Sequence, residues 1–300
     1  MNIIRFMVKK PIWGLFMKKL FFPSLVLVSM MGLVACGGDN GLVKNGVAFK
    51  EGDAGKTSET VRQSVEGKVK SVTEKTSVSL SARVSLLGQT SKVSGSVSSK
   101  YDFNFDEGTV SGDHKMTVSS GGSKQTQSAV FDAKKQADGS FTFTKNTDRE
   151  NYDEQTVAAL YQSAEYSIYA WNFTMDLDSL LGAISSSGMD VLSGNELAAA
   201  SALTSALSNK LVISGDATTG SFEIGIKEAV KLDIDLSSIE EASSMSSSSL
   251  PMTLTKMKYV FKDGFLRSQV AGISMNYNES GVGMDMNISS STSYSYVMKK

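Results

Sequence analysis

The chain has 300 residues, of which 41% are hydrophobic, enough for one large packed domain or two small ones. Its formal charge is −1, yet the first 35 residues hold five basic side chains and no acid; without them 25 basic face 31 acidic residues, a net of −6. A mildly acidic body with no run of Lys and Arg along the chain argues against a nucleic-acid partner, and one Cys and one His exclude an intramolecular disulfide, a Cys-rich metal site and a multi-histidine zinc site.

The chain opens on residues 1–35. Within them, Lys18 and Lys19 precede a short apolar run, Leu20 to Met31, interrupted by Pro23 and followed by Gly32. The run is too short and too punctuated for a membrane span, which needs about 20 apolar residues, and it has the shape of a secretory leader. Met1 to Phe16 is a long basic n-region or an extension upstream of a chain that starts at Met17. Leu33-Val34-Ala35-Cys36 closes the run and resembles the lipobox of bacterial lipoproteins. That resemblance implies removal of residues 1–35, lipid on the Cys36 sulfur, and a mature chain of 265 residues held on the extracytoplasmic face of a cell membrane. Acyl chains contribute about 0.8 kcal/mol per buried CH₂, so several of them anchor a protein stably. Residues 36–56 are rich in Gly and charge, show no period and are expected to form a flexible tether. Residues 57–300 are expected to form a single domain.

In chain order the body then predicts a helix over Thr57 to Glu74, with Val61, Val65, Val69 and Val72 in one stripe despite Gly67. Strands follow, marked by strict alternation. Ser77 to Leu86 is apolar at even positions, Val93 to Phe105 at odd positions, Val110 to Val118 at even positions, with weaker strands near Ser128–Ala133 and Ser140–Lys145. Asn151 to Ile168 predicts a helix whose start is favoured by Asp153 and Glu154. Tyr169, Trp171, Phe173 and Met175 alternate again. Two further helices are expected, over Asp176–Ser187 and from the capping box at Ser193–Glu196 through Asn209. The later strands carry Phe222, Ile224 and Ile226, then Val230 to Leu236, then Met257–Phe261 and Phe265–Tyr277 around Asp263-Gly264, a two-residue hairpin signal. Leu236 to Ser249 reads as a loop. The last strand places Val282, Met284, Met286, Ile288, Thr292, Tyr294 and Tyr296 on one face.

The expected architecture is mainly β with helices, an α+β domain: a curled antiparallel meander of about ten to eleven strands with three to four helices on its concave side. A long sheet with one apolar face must curl or be covered to bury it. This order of elements, over roughly residues 57–297, resembles the half-barrel of LolA/LppX-type lipid and lipoprotein carriers. The resemblance implies an apolar cavity between sheet and helices that holds acyl chains, and transfers no particular binding residue.

Candidate chemistry is sparse. His114, on the apolar face of its strand, is a polar contact at a cavity rim or a satisfied edge residue. Asp176/Asp178 and Asp233/Asp235 are i, i+2 carboxylate pairs; solvated charge is the plain reading, with calcium binding or paired acid/base work left open. No nucleophile elbow, phosphate loop or dinucleotide fingerprint occurs. Tyr169, Trp171, Phe173, Met275, Met284 and Met286 are the candidate cavity lining, because Met adapts its shape to irregular apolar ligands; core packing accounts for the same pattern. The expected function is therefore a non-catalytic, membrane-anchored lipoprotein that binds or carries a lipid or other apolar ligand and needs no cofactor or metal. The alternative is a structural or adhesive cell-surface module without a ligand cavity.

Overall fold

The computed structural model describes residues 41–50, 52–86, 89–173, 207, 209–235, 249–279 and 282–300. The elements are β1 (Val47–Ala48), α1 (Glu59–Val65), β2 (Val69–Leu86), β3 (Gln89–Asn104), β4 (Thr109–Ser120), β5 (Ser123–Lys135), β6 (Phe141–Asn146), α2 (Glu154–Ser167), β7 (Leu211–Asp216), β8 (Ser221–Ile226), β9 (Val230–Asp235), β10 (Ser249–Lys262), β11 (Phe265–Glu279) and β12 (Val282–Met298). All twelve strands belong to one antiparallel sheet, ordered β1-β7-β8-β10-β11-β12-β2-β3-β4-β5-β6, with β9 on the free stretch of β10 beside β8. The sheet is curled and open, ending at β1 and β6.

Two meanders meet in the middle. β2 to β6 form one, and β7 to β12 the other. They join because the last strand pairs with the first, from Val282↔Leu86 to Met298↔Val69. The Asp263-Gly264 hairpin forms as its sequence predicts: φ is 54° and 82° at the two residues, and Lys262 pairs with Phe265. Positive φ at both positions matches the twist of the flanking strands.

The first predicted helix is shorter than expected. It stops at Val65, Gly67 takes φ 67°, and Val69 starts an 18-residue strand. Val69 and Val72 are core residues of that strand (3% and 1% exposed), not a helical stripe. At Tyr169–Met175 no strand forms over the described residues: Tyr169 makes one bridge to Phe265, and Ala170–Asn172 is a 3₁₀ turn. β7 is a strand that alternation does not reveal, since Leu211, Val212 and Ile213 are consecutive and all buried. Two α-helices stand among the described residues, where three to four are expected over the whole body; Asp176–Ser187 and all of Ser193–Asn209 but Leu207 and Asn209 lie outside the described residues.

Residues 41–50 and 52–56, assigned to the tether, are laid on the sheet. Val43 is 1% exposed and its N–H bonds the Ile226 carbonyl at 3.0 Å; the Met257 N–H bonds the Gly41 carbonyl at 3.0 Å. The site exists because β8 and β9 are one strand interrupted at residues 227–229, while β10 bulges between Leu254 and Lys256. The strap enters that gap, runs along β7 through β1 (Val47↔Ile213), and reaches α1.

α2 covers one end of the concave face. Asp153 caps it, its side chain accepting from the Thr156 N–H at 2.7 Å. Val157, Tyr161 and Ala164 pack on Phe103, Val110, Phe131 and Phe141. The opposite end is aliphatic, with Val78, Leu80, Ala82, Ile273, Ile288 and Leu254 in contact.

Candidate functional site

Two polar residues interrupt the inward row of β2, which reads Val72, Glu74, Thr76, Val78, Leu80, Ala82. Directly opposed residues of an antiparallel sheet share a face, so the pairing extends the interruption sideways. Thr76 opposes Thr292 of β12 and Ser99 of β3. The same rung continues through Gln269 to Tyr259 on one side and to His114 on the other. One rung nearer α2, Glu74 opposes Tyr294 and Tyr101. A polar band two rungs deep thus crosses the concave face from β10 to β4. It separates the aromatic end under α2 from the aliphatic end.

The band is internally bonded. Thr76 Oγ1 lies 2.8 Å from Thr292 Oγ1, with which it shares a hydrogen bond, and donates to Glu74 Oε1 at 3.3 Å when that carboxyl is ionised. Ser99 Oγ sits 2.8 Å from His114 Nδ1, and the Tyr101 and Tyr152 hydroxyls are 3.2 Å apart. Gln269 donates an amide N–H to the Tyr294 hydroxyl, and Tyr296 donates to the Leu266 carbonyl. Thr76, Ser99 and Thr292 are buried, whereas Glu74, Tyr101, Tyr259, Gln269, Tyr294 and His114 keep part of their surface open to solvent.

Burial raises the Glu74 carboxyl from 4.5 to about 7, against the opposing bond from Thr76. Among the described residues no basic group pulls it back down, so the carboxyl is partly protonated at neutral pH and serves as donor or acceptor. Burial, reinforced by Tyr152 and then the Glu74 charge, pushes the Tyr101 hydroxyl up; burial and the Glu74 charge do the same to Tyr294. Burial takes Tyr259 to about 12. Burial lowers His114, against the pull of Asp148 and Asp113, so its ring is neutral. The band is a set of neutral hydrogen-bonding groups around one titratable carboxyl.

The six residues predicted to line a cavity do not come together. Tyr169 is 9% exposed, stacks on Trp171 at 4.7 Å, and its hydroxyl accepts from the Gly67 N–H at 3.2 Å. Trp171 lies under the Arg62 guanidinium at 5.5 Å, and Phe173 packs on Tyr259 and Phe261 at 4.8 and 5.2 Å. These three gather where β11 begins at Phe265. Met275 opposes Met286 ten residues further along β11, roughly 30 Å away at about 3.3 Å per residue. Met286 is 6% exposed in the aliphatic core, against which Met275 packs, and Met284 pairs through its backbone with Val84 and Tyr277. Asp233 and Asp235 lie on β9 opposite Pro251 and Ser249. Cys36, Asp176 and Asp178 lie outside the described residues. Among the described residues no three His, Cys, Asp or Glu side chains gather as a metal set, and no helix is long and apolar enough to cross a membrane.

Glu74 and Thr76 escape a reading of the sequence because the valine spacing of residues 61–72 mimics a helix. Their signal is a pair of polar residues at even positions, continuous with the even apolar positions 78 to 86. Thr292 and Tyr294 are legible on the inward face of β12; that they face Glu74 is not.

The convex face carries a shallow polar groove of about 610 Å³ where the ends of β12, β2, β3 and β4 lie side by side, with Arg83, Lys92, Ser94, Ser119, Asp285 and Asn287 among its lining.

The molecule is thus an open, curled antiparallel sheet with a polar band across its concave face. No protein-family model matches the sequence, and no curated protein matches it. Among solved structures, a β-barrel-like protein of domain of unknown function DUF1849 from Brucella abortus is 8% identical, covering 76% of this chain and 99% of that one, with a TM-score of 0.20. A DUF1329 family protein from Desulfovibrio piger is 8% identical, covering 83% of this chain and 94% of that one, with a TM-score of 0.14.

Proposed function

We propose that this protein is a non-catalytic lipoprotein, anchored by lipid on Cys36 to the extracytoplasmic face of a cell membrane, that holds an amphiphilic lipid-like ligand against the concave face of its sheet. The observation that carries the reading is the polar band: the half-buried Glu74, Tyr101 and Tyr294 keep a remnant of exposed surface between two apolar ends of one inward face. A ligand with an apolar body and a small hydrogen-bonding head matches that alternation, since sites of this kind pair apolar walls with a few placed polar groups. The test is to purify the chain from a bacterial host, extract it with organic solvent and weigh the extract. A co-purifying amphiphile, displaced by long-chain alcohols and weakened by Tyr294→Phe with Glu74→Gln, is expected. An empty extract together with no thermal shift on adding long-chain alcohols would overturn the reading.

The polar groove on the convex face favours a second reading, a surface module that meets a cell-wall polymer. Polymer binding lost on Arg83→Ala with Asp285→Ala, in a chain that extracts no amphiphile, would select it.

A further inference from the structure

Placing the strap on the sheet shortens the leash between anchor and domain, and that decides which side of the domain meets the bilayer. If residues 37–56 formed a free tether, twenty residues would let the domain turn in any direction. The chain is instead pinned at Gly41 and Val43 by hydrogen bonds to Met257 and Ile226. Gly41 takes φ 68°, and an added Cβ there would stand 2.9 Å from both the Lys256 and Val270 side chains, so the contact is close and specific to glycine. From Cys36 to Gly41 is five Cα steps, at most about 18 Å of extended chain. β2 alone, at 18 residues, is about 60 Å long. A lipid on Cys36 therefore reaches only the surface around the β8–β9 break.

That surface has the matching charge. Lys44 follows Val43, Lys227 follows Ile226, Lys231 follows Val230, and all three are exposed. Lys256 lies beside Gly41, and Lys210 reaches across to Glu228 at 2.8 Å. Five lysines lie around the point of entry, Lys210 among them paired to Glu228, and the sequence adds Asp39 two residues before Gly41, in a body whose net charge is negative. Anionic head groups attract such clusters within a Debye length of the surface.

We propose that the face formed by the strap entry, the β8–β9 break and the start of β7 is the membrane-docking surface of this protein, its partner being an anionic lipid bilayer. The inference rests on the anchoring part of the proposed function. Docked in this way, the aliphatic end of the concave face, to which Val230 and Leu254 belong, is the end nearest the lipid.

The test uses the processed full chain from a bacterial host, reconstituted in vesicles of zwitterionic and anionic lipid carrying a nitroxide on the head group. The mass of the purified chain first reports acylation; a chain without lipid on Cys36 would overturn the anchoring reading itself. A fluorophore is then placed at Asn45→Cys, at Ala229→Cys, or at Asp138→Cys on the distant β5–β6 turn. The first two are expected to lose most of their emission and the third almost none. A long Gly-Ser insert between Gly38 and Asp39 is expected to restore emission at Asn45 without changing acylation. Equal quenching at the three sites, or strongest quenching at Asp138, in an acylated chain would overturn the docking surface while leaving the anchor intact. Unchanged quenching on K44E/K227E/K231E in anionic vesicles would remove the role given to the lysines.

Discussion

The two meanders of the sheet solve the same problem in different ways. β2 to β5 keep an unbroken register from rung to rung, with hairpins between neighbours in sequence. The aromatic end of their inner face is covered by α2, an element that follows them closely in the chain. The β7 to β12 half is broken by the β8–β9 interruption and by two register shifts between β10 and β11. It is completed by Leu207, just before β7, and by chain from far away in sequence, the strap at residues 41–50 and 52–56. The regular half is a local structure with a lid. The irregular half is a docking surface for its own N-terminal segment, and bulges that free backbone groups make it one. The polar band lies across the junction of the two.

The largest expected effect tests the lid. Tyr161, 2% exposed, sits against Phe103, Phe105 and Phe141, so Tyr161→Ala is expected to cost about 3–5 kcal/mol in denaturant unfolding. Leu80→Ala at the aliphatic end is expected to cost about 2–5 kcal/mol. Hydrogen exchange separates them: the Tyr161 change is expected to loosen β3 to β6 first, and loosening of β7 to β9 instead would break the division drawn here.

The next effect lies at the junction. The folded Glu74 carboxyl titrates near 7 and the unfolded one near 4.5, so between these values the native state binds more protons than the unfolded state. Stability therefore falls as pH rises through that window, by about 1.4 kcal/mol per pH unit at most, and levels off above it. Glu74→Gln is expected to flatten this slope and to be the more stable protein at pH 8, by up to about 3 kcal/mol. Unfolding curves at pH 5 and pH 8 check it; a wild-type stability that rises over this range would contradict the buried position of Glu74.

Thr292→Val keeps the volume and removes the hydroxyl that bonds Thr76. It is expected to cost about 1–2 kcal/mol, since Thr76 is left a buried polar group short of a partner. The cost is expected to shrink in the Glu74→Gln background, where the amide supplies a donor. The smallest effect is at the start of the lid. The Thr156 N–H holds the Asp153 carboxyl below the usual range, so Asp153 stabilises α2 above that range and the contribution is lost as pH falls through it. Asp153→Ala is expected to lower Tm slightly at pH 7 and to match wild type under acid conditions.

Much of this protein follows from the sequence by itself. Alternation in residues 77–86 and 93–118 specifies strands and their inward faces, because a period of two leaves one solution for a half-buried sheet. Asp263-Gly264 specifies its hairpin, and Asp153 the start of α2, because both rest on bonds within a few residues. The proposed anchor rests on the same local kind of signal, the resemblance of Leu33-Val34-Ala35-Cys36 to a lipobox. Tertiary structure decides the rest. Whether Val69 and Val72 belong to a helix or a strand depends on β12, more than 200 residues later in the chain, which offers β2 a partner along its full length. The fate of residues 41–50 and 52–56 depends on the break between β8 and β9, which no local pattern announces. Glu74 acquires its character only when Tyr101 and Tyr294 stand on either side of it. Such features depend on pairings distant in sequence, and a residue's own neighbours carry no trace of them.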